Sequence, residues 1–319
     1  MTMVTFKSGA LQLAEGQTEE RLLGSPTALW KTTLRRLFRR KTGIVGMILV
    51  GFMFFVAVAA PVIAPYDPNN VLIGKEPVRK RAAPCIHLLG CSIEEPQHFL
   101  GIDGNFRDQL SRLIYGARVS LSIGFTTVAF AVTFGVLLGS IAGYWGGWLD
   151  NVIMRVMDVI LGFPALLLAI AIVAVLGPGL RNALLAIAIV TLPAYARVMR
   201  ASVLSIKELD YVAASKALGA SNIRILLTRV VPNALTPIVV LSTLGIAGAI
   251  LDAAGLSFLG LGAQPPTPEW GTMLGSERNQ VFSAPHLVFF PGIAIMITVL
   301  GFNLLGDGMR DALDPRLND

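Results

Sequence analysis

Long stretches without a formal charge constrain this chain more than any other feature in it. No Asp, Glu, Lys or Arg occurs between Lys41 and Asp67, Arg118 and Asp150, Asp158 and Arg181, Arg229 and Asp252, or Arg278 and Asp307, and each gap holds 22 or more residues. A helix needs about 20 apolar residues to cross the hydrocarbon core of a bilayer. A shorter gap of 15 residues separates Arg181 from Arg197. Helix-forming sequence flanks it, so it reads as a span whose inner end is charged. Six spans follow, at roughly 43–65, 117–143, 152–176, 182–203, 233–257 and 287–306. In lipid every backbone amide must be satisfied within its own segment or in a closed barrel. These runs are too long and too uniformly apolar for barrel strands, which alternate. The fold class is therefore all-α integral membrane with six transmembrane helices.

Charge then orients the spans. Eight of the 26 Lys and Arg residues precede the first span, and the block "KTTLRRLFRRK" lies directly against it. Basic residues near short loops stay cytoplasmic, so both termini are expected inside, the tail carrying Arg310 and Arg316. The loop after the first span falls outside. It holds seven Lys and Arg from Lys75 to Arg118, but long loops translocate with little regard to charge. The divisions expected are a cytoplasmic segment 1–42, a first helix 43–65, an extracytoplasmic loop 66–116, a core 117–306 with a cytoplasmic loop at 204–232, and a tail 307–319. The first apolar run contains "AVAAP", yet it exceeds the roughly 7–15 residues of a signal-peptide core, and we read it as retained. The net charge of +6 does not indicate nucleic acid, because the basic residues cluster at span ends and no base-stacking motif accompanies them.

Within the spans, Gly135, Gly139, Gly143 and Gly147 recur every four residues. They line one helix face, or three of them do if the helix ends near Tyr144, and small residues at this spacing let backbones approach closely in lipid. Two readings stand: a tight contact within the chain, or a face that slides against a partner subunit. Pro164, Pro193, Pro232, Pro237 and Pro291 lie in or beside spans, where each removes a donor and favours a kink. Asp158 follows Arg155 by three residues, which predicts a local ion pair. Asp252 sits near the outer end of the fifth span. An intramembrane carboxylate is a functional candidate by default, and a structural role near the headgroups is the alternative. Cys85 and Cys91 are the only cysteines. Both fall in the outer loop, where disulfides form and persist. With His87 and His98 close by, a metal site is the other reading, although the spacing matches no common zinc pattern. "HLLG" at 87 beside "HFLG" at 98 looks like a local insertion.

The segment "YVAASKALGASNIRILLTRVVPNAL", residues 211–235, is basic and punctuated between two apolar runs. Gly219 suits the left-handed turn that closes a helix, and Ser221 is a plausible N-cap for a second helix. There Ile223, Leu226, Leu227 and Val230 share one face of an α-helix, with Arg224 and Thr228 elsewhere. Pro232 ends the run or begins the next span. Two short helices at nearly a right turn result. They either rest on lipid headgroups or insert into a groove of a soluble partner.

This pattern resembles the EAA loop of ABC importer permeases, with Ala213, Ala214 and Ser215 at the triplet positions, Gly219 at the glycine and Pro232 at the proline. The likeness continues along the chain. "RRLFRRKTGIVGMILVGFMFFVAVAAPVIAPYDP" resembles the first span of the C-type permease of dipeptide and oligopeptide importers. "FLGIDGNFRDQLSRLIYGARVSL" resembles its outer-loop signature LGTD-x-x-GRD-x-x-SR, matching at Asp103, Arg107, Asp108, Ser111 and Arg112 while Ile102 replaces Thr and Phe106 replaces Gly. "AGLSFLGLGAQPPTPEWGTML" and "FNLLGDGMRDALDPRL" resemble its C-terminal third.

The resemblance implies the MetI-like fold of type I ABC importer permeases, in a bacterial cytoplasmic (inner) membrane. It implies a second homologous permease, two ATP-binding subunits that carry ATP and Mg, and an extracytoplasmic solute-binding protein, with no cofactor on this chain. No Walker A motif, G-x-x-x-x-G-K-[ST], occurs, so the permease is not expected to be an enzyme. Coupling to the ATPase is expected through residues 205–232, with Asp210, Tyr211, Ala213, Ala214, Leu218, Gly219 and Pro232 as contacts. Di- and oligopeptides are the expected cargo; nickel, glutathione and other small solutes pass through related permeases. Rival classes fare worse. A secondary transporter requires membrane-embedded ion ligands or inverted repeats. An enzyme requires a catalytic constellation, whereas His87, His98 and His286 all lie near the outer side without a nucleophile motif. A channel works alone and has no use for a docking loop.

Overall fold

The computed structural model describes residues 40–313 together with Arg35, Leu37 and Phe38. Most of the basic block at 31–41 and Arg316 in the tail lie outside the described residues. Among the described residues there are eleven α-helical segments: α1 Lys41–Ile63, α2 Gln109–Trp145, α3 Gly147–Leu161, α4 Ala165–Leu176, α5 Leu180–Ile206, α6 Asp210–Ala217, α7 Asn222–Ile225, α8 Val231–Ala234, α9 Thr236–Phe258, α10 Trp270–Glu277 and α11 His286–Leu313. Five of them (α1, α2, α5, α9 and α11) are long and apolar enough to cross a membrane. One expected span differs. Residues 152–176 do not form a straight helix; α3 and α4 meet at 93°. Pro164 disfavours helix at Phe163, and the amide of Gly162 closes α3 onto the carbonyls of Asp158 and Val159.

A second difference concerns α2, which starts at Gln109 rather than near 117. The Asp108 carboxylate accepts from the backbone N–H and hydroxyl of Ser111, both at 2.7 Å. This N-cap satisfies donors that a helix start otherwise orphans and carries α2 out beyond the hydrocarbon. The helix ends where Gly146 and Gly147 take φ +67° and +61°.

Backbone proximity organises the bundle. α2 packs along α5 through three glycines. A Cβ on Gly139 would lie on the Ala196 carbonyl and 2.8 Å from the Met199 Cβ, and one on Gly143 would lie 2.9 Å from the Arg200 carbonyl oxygen. Gly147 lies past the helix end and has nothing within 4 Å, so the stripe holds three members. α1 lies on α11 in the same way, since a Cβ on Gly308 would meet the Gly43 Cα at 2.6 Å. The stripe therefore serves a contact within the chain.

The α3–α4 bend redirects the expected Arg155–Asp158 pair. α3 turns toward α5, and Asp158 pairs with Arg197 at 2.5 Å while Asp150 takes Arg200 through two bonds, both at 2.5 Å. A tertiary partner replaces the local one because Arg197 and Arg200 lie one turn apart on the facing helix.

One end of the bundle is closed by a polar cap made of residues 64–108 and the connection 259–285. Asp103 is its hub. Its carboxylate accepts from the backbone N–H of Asn105 and Arg107, at 2.8 Å each, and from Arg107 Nε at 2.8 Å, with Arg112 Nε at 3.5 Å. Arg112 also donates to the carbonyls of Pro68 and Pro266. Glu277 joins the two segments, accepting from Arg81 Nε at 2.7 Å and from the backbone N–H of Gly104 at 2.9 Å. His98 is buried, with Nδ1 2.9 Å from Asp108 and its ring against Tyr66 at 5.2 Å. Burial, then the nearby Glu76 and Asp108 carboxylates, raise the Tyr66 phenol above its usual range. Phe106 occupies the turn between Asp103 and Arg107 at φ +57°. Cys85 and Cys91 are joined in a disulfide with Cα atoms 5.4 Å apart.

Two outcomes check these contacts. Gly139→Leu is expected to cost about 1–3 kcal/mol by forcing α2 off α5, whereas Gly51→Leu, with nothing within 4 Å, leaves stability unchanged. Thermal unfolding in detergent separates them, and equal midpoints would contradict the packing. Asp103→Ala strands two buried guanidinium groups and is expected to cost roughly 3–5 kcal/mol in the same assay.

Candidate coupling site

At the opposite end of the bundle, residues 207–235 form a helical hairpin between α5 and α9. α6 buries only Val212. It closes through a complete left-handed cap. The Gly219 amide donates to Lys216 O at 3.0 Å and the Ala220 amide to Ser215 O at 3.2 Å. Gly219 sits at φ +81° with nothing within 4 Å of where a Cβ would be. The requirement for glycine is therefore conformational rather than steric.

The second arm departs from the sequence expectation. Ser221 makes no side-chain capping bond to α7. Residues Leu226–Val230 form a π-turn between α7 and α8, closed by the Val231 amide on Leu226 O. Proline causes this. Pro232 has no N–H to offer Thr228, and its ring crowds that carbonyl, so the helix widens by one residue. Asn233 Nδ2 then donates to Arg229 O at 2.6 Å and the Thr228 hydroxyl to Arg224 O at 2.6 Å. The extra residue rotates everything after it. Ile225, Leu226, Val230 and Ala234 are buried, while Ile223 and Leu227 are exposed. The expected single face of Ile223, Leu226, Leu227 and Val230 is split, with Leu226 and Val230 packed inward and Ile223 and Leu227 toward solvent. Only the Pro232 ring hinted at this in the sequence.

Every residue expected to make the coupling contact lies at the surface: Asp210, Tyr211, Ala213, Ala214, Leu218, Gly219 and Pro232. Leu218 projects furthest, at 88% exposure. Tyr211 bridges the two arms, its hydroxyl 3.5 Å from Arg229 O and 3.4 Å from Asn233 Nδ2. Exposed Leu209, Ile223 and Leu227 add apolar surface that periodicity alone did not assign to this face. Two bonds tie the hairpin to the end of α2: Lys207 Nζ donates to Gly143 O at 2.9 Å, and the Tyr144 hydroxyl to Asn222 Oδ1 at 3.3 Å. The hairpin is thus continuous with α5 and bonded to the end of α2. Lys216, Arg224 and Arg229 are exposed and set a basic rim. Among the described residues the one grouping of metal-type donors is Cys85, Cys91 and Glu95, and the disulfide consumes both thiolates. Asp252 is half-buried in α9, away from this hairpin.

Comparison with known proteins adds independent findings. Residues 135–319 match the model of the binding-protein-dependent transport system inner membrane component, and residues 28–84 match the N-terminal TM domain of oligopeptide transport permease C. The dipeptide transport system permease protein DppC of Alkalihalophilus pseudofirmus is 47% identical over 290 residues, 90% of each chain. The di/tripeptide transport system permease protein DppC of Pseudomonas aeruginosa is 45% identical over 92% of this chain and 96% of that one. The glutathione transport system permease protein GsiD of Pectobacterium atrosepticum is 41% identical over 90% of this chain and 91% of that one. Among solved structures, an inward-facing conformation of the MetNI methionine ABC transporter superposes with a TM-score of 0.52 at 19% identity. The match covers 64% of this chain and 97% of that one, a likeness of fold.

Substituting the glycine tests the local geometry. Gly219→Val is expected to cost about 1–2 kcal/mol in the turn, and Gly219→Asn, which tolerates the left-handed region, distinctly less. Limited proteolysis at the hairpin reads the difference, and identical cleavage rates for the two variants would overturn it.

Proposed function

Because the chain belongs to the family of binding-protein-dependent transport system inner membrane components, we propose that it is the C-type permease subunit of an ATP-driven peptide importer. As a member of that family it is a multi-pass inner-membrane transport component. Its partners are a second homologous permease, two ATP-binding subunits and an extracytoplasmic solute-binding protein. ATP and Mg are bound and turned over by the ATP-binding subunits. Both termini and the 207–235 hairpin face the cytoplasm, and the polar cap with its disulfide faces outward.

The observation that carries this reading is the exposed hairpin. It presents Tyr211, Leu218 and Leu227 to solvent while two side-chain bonds hold it to α2. Such a surface suits a groove on a soluble subunit. Closure of the ATPase pair shifts the hairpin, and the α2–α5 unit moves with it because its backbones are in contact. The bend between α3 and α4, pinned to α5 by Asp150–Arg200 and Asp158–Arg197, is a place where the bundle takes up the change. ATP then biases a two-state equilibrium between inward- and outward-open forms. Small peptides are the cargo that the relatives' names support. Specificity rests largely with the solute-binding protein, and this chain passes what is delivered.

Purification of tagged protein from its native membrane in mild detergent, followed by mass spectrometry, tests the proposal. Co-recovery of a second six-span permease and a P-loop ATPase is expected. Gly219→Val and Leu218→Asp are expected to lose the ATPase and keep the permease. Recovery of this chain alone, from a preparation in which other complexes stay intact, would overturn the assignment.

A further inference from the structure

Arg118 has no role in the cap, the bundle contacts or the hairpin. It lies on α2 nine residues past Gln109, it is exposed, and among the described residues it has no ion-pair or hydrogen-bond partner. It lines a crevice of about 300 Å³ between α1 and α2, walled by Phe54, Ala57, Val58, Leu121, Ser122 and Phe125. The Phe54 and Phe125 rings lie 5.3 Å apart, with Phe302 behind Phe125 at 5.8 Å. Ser122 donates its hydroxyl to Val119 O at 2.8 Å, so its proton is spent within α2. What remains is an apolar slot with one cation along it.

The level of this slot matters. Val58 shares it, and α1 runs on past Val58 through Val62, which is 86% exposed and apolar. One further helical turn is about 5.4 Å. Arg118 therefore emerges inside the apolar belt, roughly one turn from its edge. A guanidinium facing hydrocarbon is costly unless it finds an anion, and its long stem lets the head rise to the headgroup level. Its planar fork matches phosphate oxygens in pairs. We propose that the α1–α2 crevice is a binding site for an anionic phospholipid, with its phosphate on Arg118 and one acyl chain between Phe54, Val58 and Phe125. The charge that the protein does not supply is supplied by the lipid, and the chain fills the slot that the rings leave. The lipid adds to the α1–α2 contact at the cap end, beside the Phe54–Phe125 ring pair. The site rests on the chain spanning a membrane and not on the identity of the cargo.

The test uses the intact complex, extracted in mild detergent from membranes containing phosphatidylglycerol and phosphatidylethanolamine, with retained lipids quantified by mass spectrometry. Arg118→Gln is expected to lower retained phosphatidylglycerol about fivefold per site, the loss of one surface cation–lipid attraction. Phosphatidylethanolamine stays unchanged. Arg118→Lys keeps most of the bound phosphatidylglycerol, and Val58→Trp, which fills the slot and leaves the charge in place, loses it. A photoreactive side chain at position 58 is expected to cross-link to lipid. Unchanged phosphatidylglycerol in Arg118→Gln, or cross-linking of position 58 to a second polypeptide, would refute the site. The polypeptide result would make the crevice a subunit contact instead.

Discussion

Close approach of helix backbones is the interaction on which the rest of this structure depends. Between helices in lipid there is no hydrophobic drive, since acyl tails are as apolar as leucine, and what remains is dispersion at short range. Gly135, Gly139 and Gly143 let α2 lie on Tyr195, Ala196, Met199 and Val203 of α5, while Gly308 does the same for α11 on α1. The α2–α5 unit fixes much else. Lys207 reaches the Gly143 carbonyl because α5 ends beside α2. Arg197 and Arg200 face α3 because α5 is rotated by its contact with the glycine stripe. The hairpin then inherits its position from two helices packed backbone to backbone.

The two ends of the bundle use polar groups in opposite ways. At the cap, Asp103, Asp108, Glu269 and Glu277 are buried and hydrogen-bonded. Asp103 collects backbone and guanidinium donors, Asp108 caps α2 and holds His98, and Glu269 caps α10 through the Gly271 and Thr272 amides. Removing any one member leaves a partner in a dry site, which makes the network cooperative. At the hairpin, bonds are local, and most polar side chains face water. Its internal order comes from a helix cap, a π-turn and a handful of side-chain-to-carbonyl bonds. An end held by few buried contacts belongs to the less protected part of a structure, whereas the closed end is held by its buried network.

Much of this was readable from residues because lipid leaves few choices. A charge-free run of sufficient length has to be helix, and glycines spaced by four have to face one neighbour. The left-handed turn at Gly219 was legible too, since its cause is local. Failures came where tertiary geometry overrode local rules. Asp158 ignored Arg155 because Arg197 stood on the facing helix. The straight span at 152–176 broke at Gly162–Pro164, where the proline signal was visible but its angle was not. The π-turn at Leu226–Val230 was not legible from periodicity, and its one inserted residue shifts every later side chain by about 100° in a helix of 3.6 residues per turn. Ser221 had the chemistry of a cap without the bond. The surface position of Leu209 and Leu227 was hidden because apolar residues in an apolar chain carry no contrast.

Phe106 occupies a turn where the resembling signature has glycine, and it does so at a positive φ that costs an ordinary side chain about 1–2 kcal/mol. The turn survives because Asp103 grips the amides of Asn105 and Arg107 on either side, and the Phe106 carbonyl holds the Leu72 amide at 2.8 Å. Its shape is written twice, once in the usual glycine and once in the carboxylate. With a side chain at the bend, the turn rests on Asp103, whose one carboxylate holds the amides on both sides of it.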